Sequence, residues 1–253
     1  MLVVGHPGHE LRVYGWMLAT RPVGHVLTDG SGSDGHPRIR STSALLESVG
    51  AARGSIYGRM SDREIYRAIL AGDHARFTAL VEELAAALVR DNVELLAGDA
   101  VEGFNPSHDV CRYIINAAVR LASTTTGRAI PCYAFPLEGA PDACPPALRS
   151  RALRVDLDDG MLARKLRAAH TYAELRSEVE NALQRFGSEP FRTECLWPVD
   201  LTDPYHWDPD RIPYYESYGA QRVAMGAYEH VVTFREHVKP RADALWCHRA
   251  VTA

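Results

Sequence analysis

The run Val3-Val4-Gly5-His6-Pro7-Gly8-His9-Glu10 decides how this chain is read. Leu2, Val3 and Val4 make a short apolar strand, and Gly5, Pro7 and Gly8 break it. Past the break, Leu11, Tyr14 and Leu18 recur at helical spacing beside Val13 and Met17. Two imidazoles and a carboxylate therefore stand on a strand-to-helix turn, the edge where open α/β sheets bind their ligands.

A second polar cluster, Glu102-Gly103-Phe104-Asn105-Pro106-Ser107-His108-Asp109, has the same setting. It follows a strand-like stretch at 93–97 and precedes a helical one at 110–121. Two strand ends that aim histidine at one edge of a sheet form the pattern of a metal site, because neutral imidazole is a good ligand for zinc and similar divalent ions.

Working outward, 24–28 reads as a second strand ending in the turn Asp29-Gly30, with a glycine- and serine-rich loop over 31–37. A helix is expected over 41–49, stopped by Gly50. Ser61-Asp62-Arg63-Glu64 is a capping box opening another. The strongest helical pattern, 71–90, carries Leu80, Leu84 and Leu88 at successive turns. The stretch 130–135 is strand-like, and Pro131 favours placing it at an edge. Alternating strands and helices predict an α/β fold, Rossmann-like and doubly wound around a mostly parallel sheet. Beyond a proline-, glycine- and alanine-rich excursion at 136–146, a helix is expected over 161–186 and a last strand over 195–201. Aromatic and proline-dense sequence follows, then a helix over 221–245 with a break near Pro240. The expected domains are an α/β unit over 1–200 and an aromatic-rich extension over 201–253, packed on that unit or on a partner subunit of a homo-oligomer.

The 253 residues are 46% hydrophobic and 24% charged, with a net charge of −4, which suits a globular protein and gives no basic footprint for nucleic acid. No apolar run approaches the roughly 20 residues a membrane helix needs, and the N-terminus lacks the basic and apolar regions of a secretory leader. Five widely spaced cysteines without a CxxC pair fit reduced thiols in a cytoplasmic protein.

The His-Pro-x-x-Glu turn, the strand ending Thr28-Asp29-Gly30, the cluster Asn105-Pro106-Ser107-His108 and the segment Val155-Asp156…Lys165…His170 together resemble the PIG-L/LmbE-like zinc de-N-acetylases. The resemblance spans about residues 1–185 and leaves the aromatic C-terminal part uncovered. It implies a zinc-dependent hydrolase removing an acyl group from an N-acylated amino sugar or related small glycoconjugate. His6 matches the family's first metal ligand and His108 its last. Three positions depart from the pattern. Gly8 stands where the family has an aspartate base, His9 where a second aspartate ligates zinc, and Asn105 where a histidine supports the oxyanion.

Trading carboxylate for imidazole at position 9 keeps a competent ligand and adds positive charge. The loss at Gly8 removes a base whose work is typically roughly 10²–10⁴ in rate. Glu10 and Glu102 are the first candidates to replace it, with Asp29 and Asp109 at the same edge. Asn105 can donate a hydrogen bond to an oxyanion. Arg38 and Arg40 are candidates to grip an acidic substrate. Each has an ordinary alternative: a turn histidine at position 6, a surface histidine at 9, a helix-cap residue at 108, a dipole partner at Glu10, a turn residue at Asp29 and solvated arginines. Tyr214, Tyr215, Tyr218 and Tyr228 either wall a sugar site or, the reading preferred here, pack against the body or a second subunit. A catalytically silent binding protein and a different zinc reaction on the same scaffold remain alternatives to the hydrolase.

Overall fold

In the computed structural model, which describes residues 1–32, 35–208 and 210–248, the N-terminal apolar run is the central strand of a seven-stranded sheet. Ser33 and Asp34 of the expected loop, Pro209 and the last five residues of the C-terminal extension lie outside the described residues. The strands are β1 (Leu2–Val4), β2 (Val23–Thr28), β3 (Ala52–Met60), β4 (Leu96–Asp99), β5 (Cys132–Phe135), β6 (Leu153–Asp156) and β7 (Thr193–Pro198). Their spatial order is β3-β2-β1-β4-β5-β7-β6. The first five run parallel, β7 joins β5 antiparallel, and β6 pairs antiparallel with β7.

The helices are α1 (Tyr14–Thr20), α2 (Ile39–Ser48), α3 (Asp62–Ala71), α4 (His74–Arg90), α5 (Pro106–Thr126), α6 (Asp159–Thr171), α7 (Arg176–Phe186), α8 (Tyr214–Ala224) and α9 (Lys239–Cys247). Strand alternation divides the core between the two faces of the sheet. Val3, Leu27 and Leu96 pack under α3, α4, α5 and α9, whereas Leu2, Val4, Val26 and Ala97 pack under α1 and α2. The fold is thus the doubly wound α/β architecture that the alternating pattern predicts. Each of these buried valine and leucine side chains contributes roughly 1.5–3 kcal/mol.

A buried ion pair ties the antiparallel strands to the body. Glu194 on β7 accepts from the Gly15 and Trp16 backbone amides at the start of α1 (both 2.8 Å) and pairs with Lys165 Nζ at 2.8 Å. Lys165 also donates to the Arg12 carbonyl.

Several expectations need correction. The strand expected at 93–97 is β4 at Leu96–Asp99, so it ends two residues later, on an aspartate. Pro131 does not mark an edge: β5 lies between β4 and β7, and the proline precedes it, its carbonyl accepting from Leu96 N–H. The single helix expected over 161–186 is α6 and α7 separated by a 3-10 turn, Ala173–Leu175. The helix expected over 221–245 is replaced by α8, a π-helical turn at Phe234–Val238 and α9, with Pro240 in the first turn of α9 instead of breaking a longer helix. β3 had no counterpart in the sequence reading. Tyr215, Phe234, Val238, Ala242 and Leu245 enter the core against α4 and α5, so this part of the C-terminal segment packs on the body of the same chain.

Candidate functional site

Three histidines meet at the C-terminal ends of β1 and β4. His6 lies just past β1, His9 opens the 3-10 turn His9–Val13, and His108 sits in the first turn of α5. Their ring centroids are 5.3 Å apart for His6 and His9, 4.9 Å for His6 and His108, and 4.4 Å for His9 and His108. Residues a hundred positions apart in sequence are neighbours because β1 and β4 pair directly, with Leu2 opposite Ala97.

Two carboxylates that the sequence reading missed hold these rings. Asp99, the last residue of β4, is fully buried, and its Oδ2 accepts from His9 Nδ1 at 2.9 Å and from Gly5 N–H at 2.7 Å. Gly5 permits that approach, since a Cβ there would stand 3.0 Å from the same oxygen. Asp62, first residue of α3, reaches His6 Nδ1 at 2.9 Å while its other oxygen accepts from Gly32 N–H. Burial pushes the Asp62 carboxyl up, but its bond to His6 and that ring's charge outweigh this and hold it well below the usual carboxylate range. Thr28 Oγ1 lies 2.7 Å from the same His6 nitrogen, and Ser107 Oγ bridges His6 Nε2 and Asn105 Oδ1, 2.7 Å from each.

Desolvation lowers the pKa of His9 and moves that of His108 well below its usual value, which favours the neutral rings that ligate metals. Asp99 fixes His9 through Nδ1, which leaves Nε2 for a ligand. This is the arrangement in which a carboxylate orients a metal-binding imidazole. Among the described residues the His108 ring has no hydrogen-bond partner and meets the other two imidazoles. His6 differs, with both nitrogens engaged. Among the described residues no three His, Cys, Asp or Glu side chains are arranged to hold a metal ion as they stand. The donor set fits zinc in its chemistry, and completing it requires His6 to exchange its Ser107 contact for the ion.

The four carboxylates considered as bases are all occupied by backbone amides. Glu10 is fully buried, accepts from Gly8 N–H at 2.8 Å, and has a pKa raised to about 7 by burial. Glu102 accepts from Leu137 and Glu138 N–H, and Asp109 from Glu102 and Gly103 N–H. Burial raises both of these to about 7 as well. Asp29 accepts from Ser31 N–H, as an aspartate in a turn commonly does. Gly8 has φ +104°, and a Cβ there would run into Leu175 Cδ1 from the turn between α6 and α7.

Asn105 caps α5: its Oδ1 accepts from Ser107 N–H at 3.0 Å and from Tyr66 O–H at 3.0 Å. Arg38 precedes α2 beside Gly32, whose amide binds Asp62. Arg40 is exposed on the first turn of α2, and among the described residues nothing joins it to the cluster. The tyrosines divide. Tyr215 is core, while Tyr214, Tyr218 and Tyr228 are exposed and continue a stack that begins at Phe104, with Phe104 and Tyr214 parallel at 4.9 Å. Asp62 and Asp99 escaped the sequence reading for related reasons: Asp62 follows β3, which was missed, and Asp99 ends β4, whose end was placed two residues early. A carboxylate just past each strand of the parallel sheet was the available signal.

With this geometry in hand, solved structures provide a frame. The zinc-inhibited form of teicoplanin deacetylase Orf2 superposes with a TM-score of 0.53 at 15% identity, covering 79% of this chain and 97% of that one. The chain shares its fold. A deacetylase–bog complex from the teicoplanin pathway gives a TM-score of 0.54 at 16% identity, covering 79% of this chain and 97% of that one. A deacetylase–teicoplanin complex gives 0.53 at 16% identity, with 78% and 97% covered. No protein-family model and no curated protein sequence matches the chain. Among the described residues, no helix is long and apolar enough to cross a membrane.

Proposed function

We propose that this protein is a divergent PIG-L/LmbE-like hydrolase that binds zinc, or another divalent metal, through His6, His9 and His108 and cleaves the amide of an N-acylated amino sugar or related small glycoconjugate. The observation that carries the reading is the meeting of three imidazoles, two of them backed by buried carboxylates, at the ligand-binding edge of a sheet with the fold of known deacetylases. The metal, when bound, polarises the acyl carbonyl and acidifies a water molecule. Asp99 and Asp62 hold the His9 and His6 rings in place. Asn105, its Oδ1 fixed by Ser107 and Tyr66, presents its amide N–H groups to the developing oxyanion. The proton of the attacking water goes to Glu10, whose Oε1 has no hydrogen-bond partner among the described residues, or to Glu102 once it releases the backbone amides it holds, and the same carboxyl returns it to the departing amine as the C–N bond breaks. Arg38, beside Gly32, is the candidate to meet an acidic substituent. The α/β unit over 1–200 carries the site, and the extension over 201–253 supplies the aromatic rim beside Phe104.

Acetate release from N-acetylglucosamine conjugates, compared between the native chain and His108→Ala, tests this reading. Turnover that vanishes in the variant supports it; equal turnover in both refutes it.

A second reading has a specific observation in its favour. Gly8 supplies no side chain, the Leu175 tip lies over it, and Glu10 and Glu102 are each bound to backbone amides. A protein that binds the amino sugar without cleaving it has that appearance. Saturable binding of an N-acetylated sugar with no acetate release distinguishes it.

A further inference from the structure

Outside the histidine cluster, α5 carries a cation that the proposed chemistry does not use. Arg112, one helical turn beyond His108, is 1% exposed, and among the described residues no carboxylate lies within ion-pair distance. Its Nε donates to the Asp99 carbonyl, Nη1 to Cys132 Sγ at 3.3 Å and Nη2 to the Tyr133 carbonyl at 3.2 Å. A guanidinium has five N–H groups, so one on each terminal nitrogen is left over. A buried charge without a counter-ion is costly, and natural structures compensate it.

Arg112 lines a cavity of about 910 Å³, within the size range of small-molecule sites. His206 lines the same cavity, and its Nε2 is buried without a hydrogen-bond partner. Its backbone adopts φ +51°, a conformation uncommon outside glycine. Burial lowers the His206 pKa, the Asp203 charge opposes this, and Arg112 and Asp200 act more weakly in opposite directions. Trp197 supplies an apolar wall. Arg151, Asp200 and Asp203 also line the cavity. The two aspartates are engaged by turns of their own: Asp200 accepts from Thr202, and Asp203 accepts from Tyr205 N–H. Both aspartates are exposed to water, whereas Arg112 is buried, where the effective dielectric is lower.

We propose that this cavity is a second ligand site, distinct from the histidine cluster, that takes the carboxylate or phosphate head of a small molecule between Arg112 and His206. In the occupied site the spare Arg112 N–H groups donate to the oxyanion, and His206, as imidazolium, donates through Nε2 while Nδ1 faces Asp203 Oδ2, 3.8 Å away. Asp99 links the two sites, its carbonyl held by Arg112 and its carboxylate by His9.

The test is the thermal unfolding midpoint of the full chain titrated with inorganic phosphate and, separately, with acetate, at ionic strength fixed by chloride. A saturable rise with either anion is expected, and the tighter of the two identifies the head group. His206→Asn, which tolerates the same backbone conformation, and Arg112→Lys, which keeps the charge without the fork, should each weaken the response tenfold or more. His9→Ala should leave it intact. A rise that does not saturate, that chloride reproduces, that persists in His206→Asn, or that disappears in His9→Ala overturns the proposal and leaves Arg112 as a clip between β4 and β5.

Discussion

Leu175 occupies the space that a side chain on Gly8 would need. A Cβ at position 8 would fall deep inside the van der Waals radius of Leu175 Cδ1, and the backbone there, at φ +104°, is one that residues other than glycine rarely adopt. The positive φ holds position 8 to glycine, and the Leu175 tip, on the 3-10 turn Ala173–Leu175, would have to swing aside for any side chain there.

Gly8→Asp should accordingly create no activity and should destabilise the chain by roughly 2–4 kcal/mol from backbone strain and overpacking. Gly8→Asp combined with Leu175→Ala should recover part of that loss by removing the collision. Urea unfolding of the three proteins checks this. A stable Gly8→Asp single variant would show that the turn yields freely.

Asp99→Ala removes the partner of both His9 Nδ1 and Gly5 N–H. If His9 is a metal ligand, zinc affinity should fall by about 10–100-fold, the usual effect of losing a carboxylate that orients a ligating imidazole. Competition against a chromophoric chelator measures it, with circular dichroism confirming that the variant is folded.

His25, in the middle of β2, is fully buried with Nε2 unpartnered, and burial depresses its pKa to about 4. The unfolded chain protonates this ring near its ordinary value of 6.5, the folded chain only near 4. Folding stability is therefore unaffected by this group above pH 6.5 and declines as pH falls from 6.5 toward 4, by roughly 2–3 kcal/mol. His25→Leu should flatten that part of the stability–pH curve. An unchanged acid limb would place its origin in other groups.

Glu194→Gln leaves Lys165 buried opposite a neutral partner and should cost roughly 3–5 kcal/mol. Pairing it with Lys165→Met should cost less than the single change, because no uncompensated charge remains. A double-mutant cycle in chemical denaturation reads the difference.

The sequence revealed the parts of this fold in which apolar runs end abruptly. β1 and β2 stop at Gly5 and at Asp29-Gly30, and the Ser61–Glu64 capping box is formed as the motif predicts. His6 and His9 were legible for the same reason, lying just past the Gly5 stop, and His108 through the Asn105-Pro106 turn that opens α5. β3 was hidden because it is an edge strand, with mostly exposed or half-buried residues and little apolar signal. Missing it hid Asp62, which caps the route from β3 into the site. Asp99 was lost to a two-residue error at the end of β4. What Glu10, Glu102 and Asp109 do was beyond sequence reasoning altogether, since a carboxylate free to act as base and one bound to backbone amides read identically as letters.

The central claim is that His6, His9 and His108 bind one ion together, although His6 Nε2 now faces Ser107. X-ray absorption at the zinc edge of the purified, zinc-equilibrated chain tests it most directly, alongside the metal-to-protein ratio. The expected result is one zinc per chain with three imidazole nitrogens at about 2.0–2.1 Å, lost in His108→Ala. Zinc that fails to bind, or that binds equally well without His108, would contradict it.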